Sequence, residues 1–164
     1  MLEVTAYHEA GHALVALLAG AKVRSLTIDP DWDDGPARTG DTQIRWSRRL
    51  PAAEYQRRAI QVALAGPVAE MLYTGDPFHP AHVAEWQGDW RDAWQLAAGQ
   101  YPGESQRMQA LEQVSIALYR QLNSEPWWSM LAALADELLA HETLESEQIQ
   151  EILEPWWGDQ YGLH

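Results

Sequence analysis

The chain has 164 residues, a length that fits one domain and leaves little room for a second. Its formal net charge of −13 excludes favourable attraction to nucleic-acid phosphates or to an anionic membrane surface, so we expect neither partner. Because the sequence contains no cysteine, disulfides and thiolate metal sites are excluded, and any zinc must be held by His, Asp or Glu.

The hydrophobic pattern predicts a mainly α fold: a single helical domain over 1–164, with a small β-strand pair next to the first helix. That helix is predicted over 3–20, where Gly20 can end it. Short strands are predicted at 22–29 and 41–46, with an acidic, turn-forming segment between them. Five further helices are predicted at 51–73, 88–98, 104–122, 126–141 and 146–153. Pro67 is expected to kink or break the helix predicted at 51–73. An irregular tail is expected over 155–164.

The apolar runs of the sequence are all shorter than the roughly 20 residues that a membrane span needs. The N-terminal residues also lack the basic region and apolar core of a signal peptide. On these grounds we expect a cytoplasmic protein.

The strongest chemical signal is His8-Glu9-Ala10-Gly11-His12, an HExxH pattern in the first helix. Because positions i and i+4 lie on one helix face, His8 and His12 can direct ring nitrogens at one Zn²⁺. Glu9 beside them can act as the general base of a metallopeptidase. A chance pattern on an amphipathic helix is the alternative interpretation.

A catalytic zinc needs a third protein ligand. Asp89 and Asp92 near the start of a predicted helix are candidates, although acidic residues also suit a helix N-terminus as caps. His79 and His82 lie in the preceding loop and could replace a ligand or form a second metal site; an exposed histidine pair is the simpler interpretation. The residues alone leave this choice open.

Several segments resemble the FtsH-type peptidases, the zinc peptidase domains of the membrane-bound AAA proteases. TAYHEAGHALVALLAG is similar to their active-site helix, and KVRSLTIDP to the strand after it. IQVALAGPVAEMLYTGD is similar to the family's LAGRxAEExxFG segment, and HETLESEQIQEIL to its closing ETLxxxEI element. The similarities occur in the family's order and cover nearly the whole chain.

This resemblance implies that Asp89 is the third zinc ligand. In the family that ligand begins a helix of the pattern DxxxAxxxA, which Asp89, Ala93 and Ala97 match. Asp92 lacks the matching alanines and is kept in reserve, as a ligand or as a residue that orients a ligand histidine. The sequence lacks the ATPase module and the transmembrane helices of the family, and it contains no GxxxxGK[ST] loop.

Together these features predict a zinc metalloendopeptidase that cleaves peptides or unfolded segments without ATP. Its substrate would be a peptide or an unfolded protein, and a homo-oligomer or a separate ATPase partner is compatible with the resemblance. Two alternatives stay open: a catalytically silent zinc-binding regulatory or interaction domain derived from such a peptidase, and a purely structural helical domain.

Overall fold

The computed structural model describes residues 2–29, 41–76 and 86–157. These residues form a mainly α domain with one small antiparallel sheet, as the sequence predicted. The elements in chain order are α1 (Leu2–Leu18), β1 (Lys22–Thr27), β2 (Asp41–Arg45), α2 (Ala52–Thr74), α3 (Gln87–Ala97), α4 (Glu104–Leu122), α5 (Trp127–His141), β3 (Thr143–Glu145) and α6 (Ser146–Trp157).

Helices α1 and α2 form the centre of the domain and pack closely on each other. Gly11 makes this approach possible, because a Cβ at this position would lie 2.7 Å from the carbonyl oxygen of Ala65 and from the Cβ of Ala69. Both alanines are fully buried. The glycine inside the HExxH pattern is therefore the contact point of the two central helices.

A kink or a break was predicted at Pro67; helix α2 continues through this residue, so the break does not occur. Proline removes one backbone donor from the helix. The residues on either side of it, Gly66 and Val68, are buried, and packing against α1 holds the helix together. Gly20, with φ of 87°, follows the end of α1 as predicted.

The sheet has three strands in the order β2-β1-β3, one more than the predicted pair. The third strand, Thr143–Glu145, pairs antiparallel with β1. Three residues are too few to show an alternating pattern, and Leu144 is fully buried only because it meets β1 from a distant part of the chain. β1 is thus the central strand, and β2 is an edge of the described sheet.

The predicted irregular tail over 155–164 is partly wrong. Helix α6 includes Pro155 and ends at Trp157, while residues 158–164 lie outside the described part of the chain. Trp157 is buried in the core, and this burial favours the extra turn despite the proline. None of the helices in the described ranges is long and apolar enough to cross a bilayer.

Candidate metal centre

Helix α1 places the two histidines of the HExxH pattern on one face, where they meet α2. Their Nε2 atoms are 3.1 Å apart, and the ring planes are inclined at 77°. His12 is buried, and the side chain of His8 is 12% exposed. The two Nε2 atoms therefore converge on one point, and the His8 ring is only partly shielded from solvent.

Asp89 reaches the same point from the first turn of α3. Its Oδ2 atom lies 2.8 Å from Nε2 of His8 and 3.4 Å from Nε2 of His12. Ala93 and Ala97, one and two turns further along α3, are fully buried. Such small side chains allow close helix packing, so α3 can lie against α2 with its first turn at the histidines. His8, His12 and Asp89 form a group whose potential ligand atoms all lie within 4.8 Å of one another.

The reserve candidates lie elsewhere. Asp92 is exposed and does not belong to the group that the described residues form. His79 and His82 fall in 77–85, outside the described residues. The structure thus brings together the three residues that the spacing and the resemblance single out, two from α1 and one from a position 77 residues beyond His12.

Each histidine is oriented by a second hydrogen bond at its other ring nitrogen. The Nδ1–H of His8 donates to Oε1 of Glu70 at 2.8 Å, and that of His12 donates to the Val62 carbonyl at 2.7 Å. Both acceptors belong to α2. Donation from Nδ1 fixes the tautomer that leaves the Nε2 lone pair free, as metal-binding histidines require. Glu70 of α2 is therefore the side chain that orients the His8 ring.

Gly66 provides the space for the two rings. A Cβ at this position would lie 2.4 Å from Nε2 of His12 and 2.7 Å from Nε2 of His8. Any side chain here would therefore occupy the space between the ring nitrogens and α2. No local pattern distinguishes this glycine, whose only signal in the sequence is its place in the LAGPVAE segment.

The charges of the group favour a cation at its centre. Burial disfavours the charged form of His8 and by itself would lower its pKa. The hydrogen bonds to Asp89 and Glu70 have the larger effect in the other direction and raise the pKa of His8 to about 10. The pKa of His12 is also raised, because the charge of Asp89 outweighs the burial of the ring. Burial acts to raise the pKa of Asp89, but the two histidines together hold it well below its usual value. Without a metal, a proton supplies the positive charge.

These residues fit a zinc ion. Zn–N bonds of about 2.0–2.1 Å at a tetrahedral angle place two ligand atoms about 3.3 Å apart. The observed separations of 3.1 Å between the two Nε2 atoms and of 2.8 and 3.4 Å to Asp89 lie close to this value. Because both Nδ1 atoms act as donors, neutral rings would turn two lone pairs towards each other and towards a carboxylate. Such an arrangement is repulsive unless a cation lies among the three atoms.

Glu9 lies beside this group and is itself held in place. It is 8% exposed, and its Oε1 atom accepts a hydrogen bond of 2.8 Å from the Thr42 hydroxyl. Its negative charge contributes to the raised pKa of both His8 and His12. The sequence predicts Thr42 only as part of a strand, since a pattern of alternating residues does not show which helix a strand faces.

A family comparison covers the part of the chain that holds α1 and α2. Residues 1–72 match the Peptidase M50B-like family model. The match includes His8, Glu9, His12 and Glu70 but ends before Asp89, and it covers less than half of the 164 residues. Among curated proteins, none matches this chain.

The match supports a metallopeptidase family and a peptidase-related function. It does not support the FtsH type in particular, because M50 is a different family. The HExxH helix and the α2 segment behind it are thus the part of the chain on which the peptidase comparison depends.

Proposed function

We propose that this chain is a zinc-dependent endopeptidase of the FtsH type that hydrolyses peptide bonds in peptides or unfolded segments without ATP. The observation that carries the proposal is the convergence of His8 Nε2, His12 Nε2 and Asp89 Oδ2 within 4.8 Å, with Glu9 as their neighbour. The peptidase family match over 1–72 supports the reaction class. The order of the four FtsH-like segments supports the narrower assignment.

His8, His12 and Asp89 would hold the zinc through three ligand atoms, which leaves a fourth position open, as catalytic zinc sites require. A bound zinc ion would polarise the scissile carbonyl and acidify a water molecule. The charge balance fits, because a Zn²⁺ ion held by two neutral imidazoles and one carboxylate would keep a net positive charge that attracts an electron-rich oxygen.

Glu9 would perform the proton transfers. As the water oxygen attacks the carbonyl carbon, the Glu9 carboxylate accepts a water proton. It then donates that proton to the amide nitrogen as the C–N bond breaks, so that the amine leaves neutral. Glu70 and the Val62 carbonyl would keep the two imidazoles oriented throughout.

The position of β2 supports an extended substrate. In the described sheet β2 is an edge strand, and its residue Thr42 contacts Glu9. An extended peptide that adds to this edge would form backbone hydrogen bonds with little dependence on sequence. It would also pass close to the general base, which suits peptides and unfolded segments better than folded proteins.

The decisive test compares the wild-type chain with Glu9→Gln in zinc content and in digestion of casein. Glu9→Gln keeps the shape of the side chain but removes its basicity, so we expect equal zinc and a loss of cleavage of about 100-fold or more. Glu147→Gln, the same substitution at an exposed position of α6, is the matched control and should cleave like the wild type.

Two results would contradict the proposal. Undiminished cleavage by Glu9→Gln would exclude Glu9 as the base. Stoichiometric zinc with no cleavage of several unfolded substrates by the wild type would instead support a zinc-binding regulatory or interaction domain.

A further inference from the structure

The hydroxyl of Thr42 in β2 donates a hydrogen bond to the carboxylate of Glu9 in α1. This hydroxyl lies 2.8 Å from Oε1 of Glu9 and 3.3 Å from the Glu9 backbone carbonyl, so it contacts both ends of the same residue. A glutamate has three rotatable side-chain bonds, and its carboxylate can take many positions unless a partner selects one. A bond at 2.8 Å to an ionised oxygen is short and strong enough to select one.

The sheet fixes Thr42 in turn. Thr42 lies opposite Leu26 of β1, and side chains of directly paired residues point to the same face of a sheet. Leu26 is fully buried, so this face is the one that packs on the helices. β1 is paired on both sides, with β2 and with β3, so the strand that sets the position of Thr42 is itself held from two directions.

The hydrogen bond also leaves the base functional. Thr42 occupies Oε1 of the carboxylate, and within the described residues no hydrogen bond occupies the second oxygen, which can exchange a proton with water or a leaving group. A hydroxyl donor carries no charge, so it can orient Glu9 without forming an ion pair that would hold the carboxylate away from its task.

We propose that Thr42 is a positioning residue for the general base: it holds the Glu9 carboxylate in the one orientation from which it takes a proton at the metal centre. This inference rests on the proposed function. It gives β2 a second role besides the proposed binding of substrate at its edge, because the strand carries the hydroxyl that orients Glu9.

The test compares Thr42→Val, which keeps the shape and removes the hydroxyl, with Thr42→Ser, which keeps the hydroxyl. For the zinc-loaded Thr42→Val chain we expect kcat for an unfolded substrate to fall about 10- to 100-fold with KM within about twofold. Thr42→Ser should recover most of kcat. Thr27→Val is the matched control, because it removes a sheet hydroxyl that bonds Thr143 and the Glu142 carbonyl but not Glu9. It should keep kcat.

A second measurement does not depend on turnover. Benzohydroxamate chelates zinc and transfers its hydroxyl proton to a neighbouring base, so its affinity for the zinc-loaded chain depends on a correctly placed Glu9. We expect Thr42→Val to weaken this binding about tenfold, and Thr42→Ser and Thr27→Val to leave it unchanged. Zinc content and thermal midpoint are measured on every variant.

The outcomes separate the two proposals. If the wild type binds zinc but cleaves nothing, the peptidase function fails, and the hydroxamate affinities still decide the role of Thr42. Thr42→Val with wild-type kcat and hydroxamate affinity would overturn the positioning role. A loss that Thr42→Ser does not recover, or that follows a loss of zinc or of thermal stability, would also overturn it.

Discussion

Glu70 lies 62 positions after His8 in the chain, and its Oε1 atom is 2.8 Å from Nδ1 of that histidine. The contact joins the two central helices at the candidate metal centre. It lets a residue of α2 orient a histidine of α1 that we propose as a zinc ligand.

We expect Glu70→Gln to weaken zinc binding about 10- to 100-fold, because the uncharged amide orients His8 less firmly and lowers its basicity. Competition with a chromophoric chelator measures the affinity. Glu147→Gln serves again as the matched control and should bind zinc like the wild type. Equal affinities of Glu70→Gln and the control would show that the Glu70 contact has no influence on the metal.

Asp89 and Asp92 are two carboxylates on one helix, and the structure places only Asp89 in the metal group of the described residues. Asp89→Ala removes a ligand, so we expect zinc affinity to fall by more than the roughly 100-fold that a lost orienting contact can cause. Asp92→Ala should change it less than about threefold. Dialysis against a zinc buffer followed by metal analysis compares the two chains, and the reverse order of effects would identify Asp92 as the ligand.

Gly66 gives a way to block the site without changing a ligand. In Gly66→Ala the added Cβ would lie 2.4 Å from Nε2 of His12, so the ring must move out of the zinc geometry. We expect the loss of stoichiometric zinc and of cleavage. Gly88→Ala is the matched control, because a Cβ there meets no atom within 4 Å among the described residues outside its own stretch of helix, although the next residue is Asp89. Tight zinc binding by Gly66→Ala would mean that the two helices can separate at this point.

The raised pKa of His8 predicts how the metal-free chain responds to pH. Its folded-state pKa of about 10 lies above the unfolded value of about 6.5, so the native state binds the proton more tightly. The resulting stabilisation is complete below pH 6.5 and is lost as the pH rises through about 10. Urea unfolding in EDTA should therefore give a free energy of unfolding that decreases from pH 6.5 to pH 10.

The His8→Gln chain removes this proton site together with the influence of His8 on the pKa values of His12 and Asp89. The difference in stability between the two chains should shrink as the pH rises across this range. A difference that stays constant would show that His8 does not carry the proton.

Zinc competes with this proton for the same position, so zinc binding at pH 7 should also release protons. Calorimetry in buffers of different ionisation enthalpy detects this release.

The amino-acid sequence alone determined the positions of the helices and the chemistry of α1. The 3.6-residue period and the glycine and proline signals located the six helices to within a few residues, except that α6 continues to Trp157. The i, i+4 spacing of His8 and His12 is a local property of a helix, so no knowledge of the fold was needed to pair them. The FtsH-like pattern at Asp89, Ala93 and Ala97 pointed to the third member of the group from resemblance, not from spacing.

The tertiary structure alone decided what surrounds these residues. The Val62 carbonyl, the space at Gly66 and the Thr42 hydroxyl act on the site through contacts across 33 to 58 positions of the chain, and no local pattern encodes such contacts. The strand β3 likewise depends on a tertiary contact, since its three residues form a strand only because β1 lies beside them. Local periodicity follows from backbone geometry and can be read along the chain, whereas the partners of a buried polar atom depend on which distant segments pack against it.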